Sequence, residues 1–146
     1  MSNPIGVSVL GATGSIGASA LDVIRMHPDR FKVVGLSAWR QADALASLVS
    51  EFSPSVVAAA PEVLAGFPSE ANGGCAGAAY CSGAAGLNSI ASHPDVVTVV
   101  AGISGAAGLE SIFSAVKSGK RVLIANKEPL VMCGDLLRQA ARESNA

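Results

Sequence analysis

Gly11-Ala12-Thr13-Gly14-Ser15-Ile16-Gly17 stands between an apolar run and an amphipathic helical pattern, and its reading decides the fold. Upstream, Ile5, Val7 and Val9 alternate with smaller residues and end in Leu10, as a buried strand would. Downstream, Ile16, Ala20, Val23, Ile24 and His27 recur at helical spacing until Pro28 stops the pattern. Strand, glycine turn and helix together offer a phosphate three things: backbone N–H groups, a close approach and a partly positive helix end. The spacing is G-x-x-G-x-x-G rather than G-x-G-x-x-G, and an ordinary glycine-rich βα turn can carry the same letters. In its strand-to-helix setting we read the stretch as a dinucleotide or nucleotide site.

The same alternation continues to the end of the chain. Lys32–Ser37 reads as a second strand, and Ala42–Phe52 as a helix with Leu45, Leu48, Val49 and Phe52 on one face. Ser55–Ala60 is a third strand closed by Pro61. Residues Gly66–Gly77 lack periodicity and read as a loop or a frayed helix end. A short strand over Ala78–Cys81 precedes a helix through Leu87, Ile90 and Ala91. Val96–Ala101 is a central strand, Leu109–Val116 a helix ended by Gly119, Arg121–Ala125 a strand, and Pro129–Arg142 the last helix. Strands alternating with helices imply right-handed parallel β-α-β units. The expected fold class is therefore α/β: a Rossmann-like, doubly wound, mostly parallel sheet with helices on both faces, one domain over residues 1–146. His27-Pro28-Asp29 and His93-Pro94-Asp95 each follow a helix and precede a strand, so they read as stop signals rather than metal ligands.

Composition narrows the function. The 146 residues are half hydrophobic and only 14% charged, so strands must be buried on both faces. A net charge of −1 with no basic run gives no reason to expect nucleic acid or a membrane surface as partner. Met1-Ser2-Asn3-Pro4 lacks the features of a signal peptide, and no apolar run reaches a bilayer-spanning length. Cys75, Cys81 and Cys133 are odd in number and form no C-x-x-C, which fits free thiols and a cytoplasmic location.

Two further stretches bear on the ligand. Enzymes that prefer NAD place an acid at the end of the second strand to hold the ribose 2′-hydroxyl. Here that window reads Ser37-Ala38-Trp39-Arg40-Gln41 and holds none. Arg40 can pair with a 2′-phosphate, and Trp39 or the guanidinium can lie against adenine, which favours NADP; the bland alternative is a solvated cation beside a partly buried anchor. Ala125-Asn126-Lys127-Glu128-Pro129 follows the last strand and opens the last helix. It is open to two readings, a helix start capped by Asn126 or a site at the strand's C-terminal end.

GATGSIG near the N-terminus, AGISGAAGL at Ala101–Leu109 and IANKEPLVMCG at Ile124–Gly134 together resemble 1-deoxy-D-xylulose 5-phosphate reductoisomerase. So do Asp22-Val23-Ile24-Arg25 and Glu51-Phe52-Ser53-Pro54, and the resemblance runs in order along the whole chain. It implies reduction and rearrangement of a sugar phosphate to 2-C-methyl-D-erythritol 4-phosphate, with NADPH and a divalent metal (Mg or Mn), in non-mevalonate isoprenoid synthesis. Carried over by motif, Gly11, Thr13, Gly14, Ser15, Ile16 and Gly17 would serve the pyrophosphate, and Trp39, Arg40 and Gln41 the adenosine and 2′-phosphate. Asn126 and Glu128 would face the cofactor, and Lys127 the substrate. The family commonly has Gly in place of Trp39 and a small residue in place of Pro129. It works as a homodimer, and its members run to several hundred residues. Its Asp-Ser-Glu-His metal motif is expected beyond Ala146, so the chain is expected to carry no catalytic or metal ligand and to bind cofactor without turnover. A nucleotide-sensing module, or another GATG-type reductase with a nucleophilic cysteine, are the alternatives.

Overall fold

The computed structural model describes residues 2–67 and 77–146. In chain order the elements are β1 (Ile5–Leu10), α1 (Ser15–Met26), β2 (Phe31–Ala38), α2 (Ala42–Phe52), β3 (Val56–Ala59) and α3 (Pro61–Ala65). They continue with β4 (Ala79–Ser82), α4 (Gly83–Ser92), β5 (Thr98–Ala101), a 3-10 turn (Gly105–Gly108), α5 (Leu109–Lys117), β6 (Arg121–Ile124) and α6 (Glu128–Ser144). The strands form one sheet in the order β4-β3-β2-β1-β5-β6, with every pairing parallel. The chain therefore winds outward from β1 to β4, then crosses back to lay β5 against β1. That reversal puts a topological switch point between the C-terminal ends of β1 and β5.

Both faces of the sheet are covered. Val7 and Val9 of β1 pack with Val33 and Leu36 of β2 against Leu21 and Ile24 of α1 and Leu45 and Val49 of α2. On the other face, Val34, Ala58 and Val99 pack against Ile90 and Ala91 of α4 and Ala115 of α5. A third cluster of Ala101, Ile112, Val116 and Leu137 docks α6 beside α5. Every β1 residue after Ile5 is buried, so its small residues do not mark a wet face. Ser8 lies under α4 instead, and its hydroxyl donates to the Ile90 carbonyl at 3.2 Å. The expected doubly wound α/β sheet is the fold.

Boundaries shift where local signals compete. β3 is shorter than Ser55–Ala60, because Ser55 belongs to the turn before it and Ala60 caps α3. Helix α3 is too short to leave a periodic signal in the sequence. Pro61 occupies its first turn, where a missing N–H costs nothing, so it opens a helix as well as closing a strand. β5 begins at Thr98 rather than Val96, and Val97 is exposed. α6 is kinked at Cys133, whose φ of −141° and ψ of 25° leave the helical region just before Gly134. Most of Gly66–Gly77, including Cys75, lies outside the described residues. Both His-Pro-Asp triplets sit in turns: the His27 carbonyl accepts from the Arg30 and Phe31 N–H groups, and His93 Nδ1 accepts from the Asp95 N–H at 3.2 Å.

Away from the switch point, Arg25 of α1 ties that helix to α2. Its guanidinium reaches Glu51 at 2.5 and 2.7 Å and Asp22 at 2.6 Å, and lies over the Phe52 ring. No helix among the described residues is long and apolar enough to cross a membrane.

Candidate functional site: a cleft at the strand switch point

The glycines of the first turn have different tasks. Gly11 has φ +76°, a conformation that side chains disfavour, and this turns the chain sharply out of β1. A Cβ on Gly17 would lie 2.3 Å from the Gly11 carbonyl oxygen, so only a glycine lets α1 sit this close to the turn. Gly14 differs, because a Cβ there would meet nothing nearer than that same oxygen at 3.5 Å. Gly14 is the N-cap of α1 and supplies no capping side chain, which leaves the first-turn amides of Ser15, Ile16 and Gly17 available to an outside acceptor.

The turn is braced from β2. The Gly11 N–H donates to the Ser37 hydroxyl at 3.0 Å, and the Ala12 N–H to the Ser37 carbonyl at 2.7 Å. From the other side, the Gly102 N–H donates to the Leu10 carbonyl at 2.9 Å. The exits of β1, β2 and β5 are thus locked together by short bonds, so the turn is preorganised for whatever it receives.

These exits enclose a cleft of about 480 Å³. Gly11, Thr13, Gly14, Trp39, Arg40 and Gln41 all line it, so six of the residues expected from sequence come together in space. Ser15 and Ile16 open α1 directly behind, and Gly17 is buried in the packing beneath them. Sequence reasoning missed Ser37 as the brace, and it missed Ala58, Ala59 and Leu87, which also line the cleft. Gly102, Ile103 and Ala107 complete the lining from the AGISGAAGL stretch, whose sequence points to the family and not to a pocket.

The Asn126-Lys127-Glu128 cluster does not line this cleft. Of its two readings, the cap by Asn126 is overturned: the N-cap of α6 is Lys127, with no side-chain bond, and Glu128 is the first helical residue. The Asn126 side-chain amide instead donates to the Ile103 carbonyl, and Ile103 does line the cleft. Asn126 therefore fixes the β6–α6 corner against the loop after β5. Lys127 is exposed beside it. Among the described residues the free thiols are Cys133, at the kink of α6, and Cys81, on β4, and both lie outside the cleft lining. Among the described residues, no group of three or more His, Cys, Asp or Glu stands ready to hold a metal ion.

Known proteins share this arrangement. The family model of 1-deoxy-D-xylulose 5-phosphate reductoisomerase matches residues 7–134. The reductoisomerase of that name from Ralstonia pickettii (strain 12J) is 49% identical over 144 residues, covering 96% of this chain and 36% of its own length. A crystal structure of DOX-P reductoisomerase in complex with NADPH, fosmidomycin and magnesium superposes with a TM-score of 0.85 at 40% identity, covering 97% of this chain and 35% of that one. The reductoisomerase from Zymomonas mobilis in complex with NADPH gives a TM-score of 0.84 at 36% identity, covering 100% of this chain and 38% of that one. The chain thus spans little more than a third of the length of these relatives.

Proposed function

Because the chain belongs to the 1-deoxy-D-xylulose 5-phosphate reductoisomerase family, we propose that it provides the NADPH-binding part of an enzyme converting 1-deoxy-D-xylulose 5-phosphate to 2-C-methyl-D-erythritol 4-phosphate in isoprenoid biosynthesis. One observation carries the reading. The uncapped start of α1 and the guanidinium-bearing loop after β2 border the same cleft, at the strand switch point. An anion belongs at the first and a second, separate phosphate at the other, which is the charge pattern of NADPH rather than NADH.

The residues present fit that cofactor. The cleft volume is in the range of ligand pockets, and Gly14 leaves the approach to the helix end clear. When bound, NADPH supplies the hydride. This chain's own residues then bind and orient: the amides of Ser15, Ile16 and Gly17 hold the pyrophosphate, Arg40 the 2′-phosphate, and Gln41 the neighbouring ribose. Asn126 holds the loop carrying Ile103 at the cleft, Glu128 would face the cofactor, and Lys127 would offer its charge to the sugar phosphate. The divalent metal that the resemblance implies finds no ligand cluster among the described residues. The same reading places the protein in the cytoplasm, as part of a homodimer.

The test is calorimetric titration of the chain with NADPH and with NADH. NADPH should bind more tightly, and Arg40→Ala should remove most of the difference, roughly ten- to a hundred-fold for a charge-assisted contact. Equal affinity for the two cofactors would refute the role of Arg40. Failure to bind either would refute the cofactor reading.

A further inference from the structure

Trp39 is the only tryptophan of the chain and the first residue after β2. It is 51% exposed, lines the cleft, and precedes Arg40. Among the described residues its ring meets no aromatic or cationic partner. A large ring left half in water at a cleft mouth is a surface that a planar ligand would cover with gain. Ala58, Ala59 and Leu87 also line the cleft, and none of them has a hydrogen-bonding side chain. Of the polar side chains in the lining, the Ser37 hydroxyl already serves the Gly11 amide, and Thr13 sits on the glycine turn. Arg40 is the group suited to a phosphate. Gln41 is placed at the ribose, which leaves no side chain of the lining to read the edge of a purine.

We infer that the Trp39 indole is the platform on which the adenine of the cofactor stacks, and that this site recognises the face of the base and not its edge. The inference rests on the NADPH reading above and adds to it a rule of selectivity. Stacking accepts any flat heterocycle of purine size, because every base has a π face. A dinucleotide phosphate carrying hypoxanthine in place of adenine should therefore serve as well as NADPH.

Four titrations decide it. The hypoxanthine analogue should bind the chain within about three-fold of NADPH, and Trp39→Ala should weaken NADPH and NADH by the same factor, about ten-fold. Trp39→Phe should restore most of that loss. Adenosine 2′,5′-bisphosphate, which has no nicotinamide to absorb the emission, should quench the single tryptophan's fluorescence. If the unaltered chain binds no NADPH, the cofactor reading falls and the stacking with it. If NADPH binds but Trp39→Ala matches the unaltered chain, or the fluorescence stays constant, stacking alone is overturned. A hypoxanthine analogue weaker by more than ten-fold would show that the base edge is read.

Discussion

Replacing Gly17 by alanine isolates the contact that seats α1 on the phosphate turn. A Cβ added there would lie 2.3 Å from the Gly11 carbonyl oxygen and 2.7 Å from the Ala12 Cα, both backbone atoms that cannot swing aside. Relief requires the start of the helix to move by about 1 Å, and overpacking of this kind costs ~1–3 kcal/mol. Alanine returns part of that through its better helix propensity, ~0.5–1 kcal/mol. The expected net loss is about 1–2 kcal/mol, or roughly 0.5–1 M in the urea midpoint at a slope of about 2 kcal/mol/M. NADPH affinity should fall as well, because the displaced amides are the ones offered to the pyrophosphate. Gly14→Ala is the internal control: its Cβ would meet nothing closer than 3.5 Å and its φ is an ordinary −81°. That variant meets no such clash and should lose only the ~0.5–1 kcal/mol by which alanine is worse than glycine at an N-cap, yet lose cofactor affinity, since Gly14 borders the cleft. Urea unfolding followed by circular dichroism, with calorimetry beside it, reads both quantities. A Gly17→Ala midpoint equal to that of the unaltered chain would refute the close packing on which this reasoning depends.

Two other perturbations probe supports at a distance from that contact. Arg25 holds the Glu51 carboxyl below its ordinary pKa of 4.5, chiefly through their hydrogen bond, so the pair stabilises the fold above that value and the contribution is lost as pH falls through the depressed one. Both side chains are about 40% exposed, so solvent screening limits the effect to ~0.2–1 kcal/mol. Glu51→Gln should cost that much at pH 7 and flatten the acid dependence of the melting temperature below pH 4.5. Asn126→Ala should lose the bond to the Ile103 carbonyl, ~0.5–1.5 kcal/mol, lowering the melting temperature by a few degrees in a calorimetric scan. An unchanged melting temperature would mean that this corner is held by packing alone.

The legible parts of the sequence were those whose signals are local and agree with one another. Val7 and Val9, the glycine turn and Pro28 together specify strand, turn and helix, because each lies within a few residues of the next. The five residues of α3 escaped because Pro61 suits both the end of a strand and the first turn of a helix, and one turn is too short to show a period. The kink at Cys133 escaped because the apolar spacing of α6 continues across it, while the Gly134 that follows carries no side chain to betray the break. In the site, Trp39 and Arg40 were legible from their place at a strand end. Ala58, Ala59 and Leu87 were not: their apolar letters read as core, and Ala58 does pack beneath α4 while it borders the cleft. The role of Asn126 is hidden in the sequence because its acceptor, Ile103, becomes its neighbour only through the β5–β6 pairing.

The strand order also has a consequence in time. Val7 lies beside Thr98 and Leu10 beside Ala101, so the seam through the middle of the sheet joins segments from distant parts of the chain. Neighbouring units such as β1-α1-β2 close short loops and gain their contacts early, whereas the β1–β5 seam must await a long loop closure. The cleft straddles that seam, so its walls do not exist until the two halves have met. Helical signal can return during refolding while the pocket is still in two pieces, and the recovery of ligand affinity then times the joining of the halves.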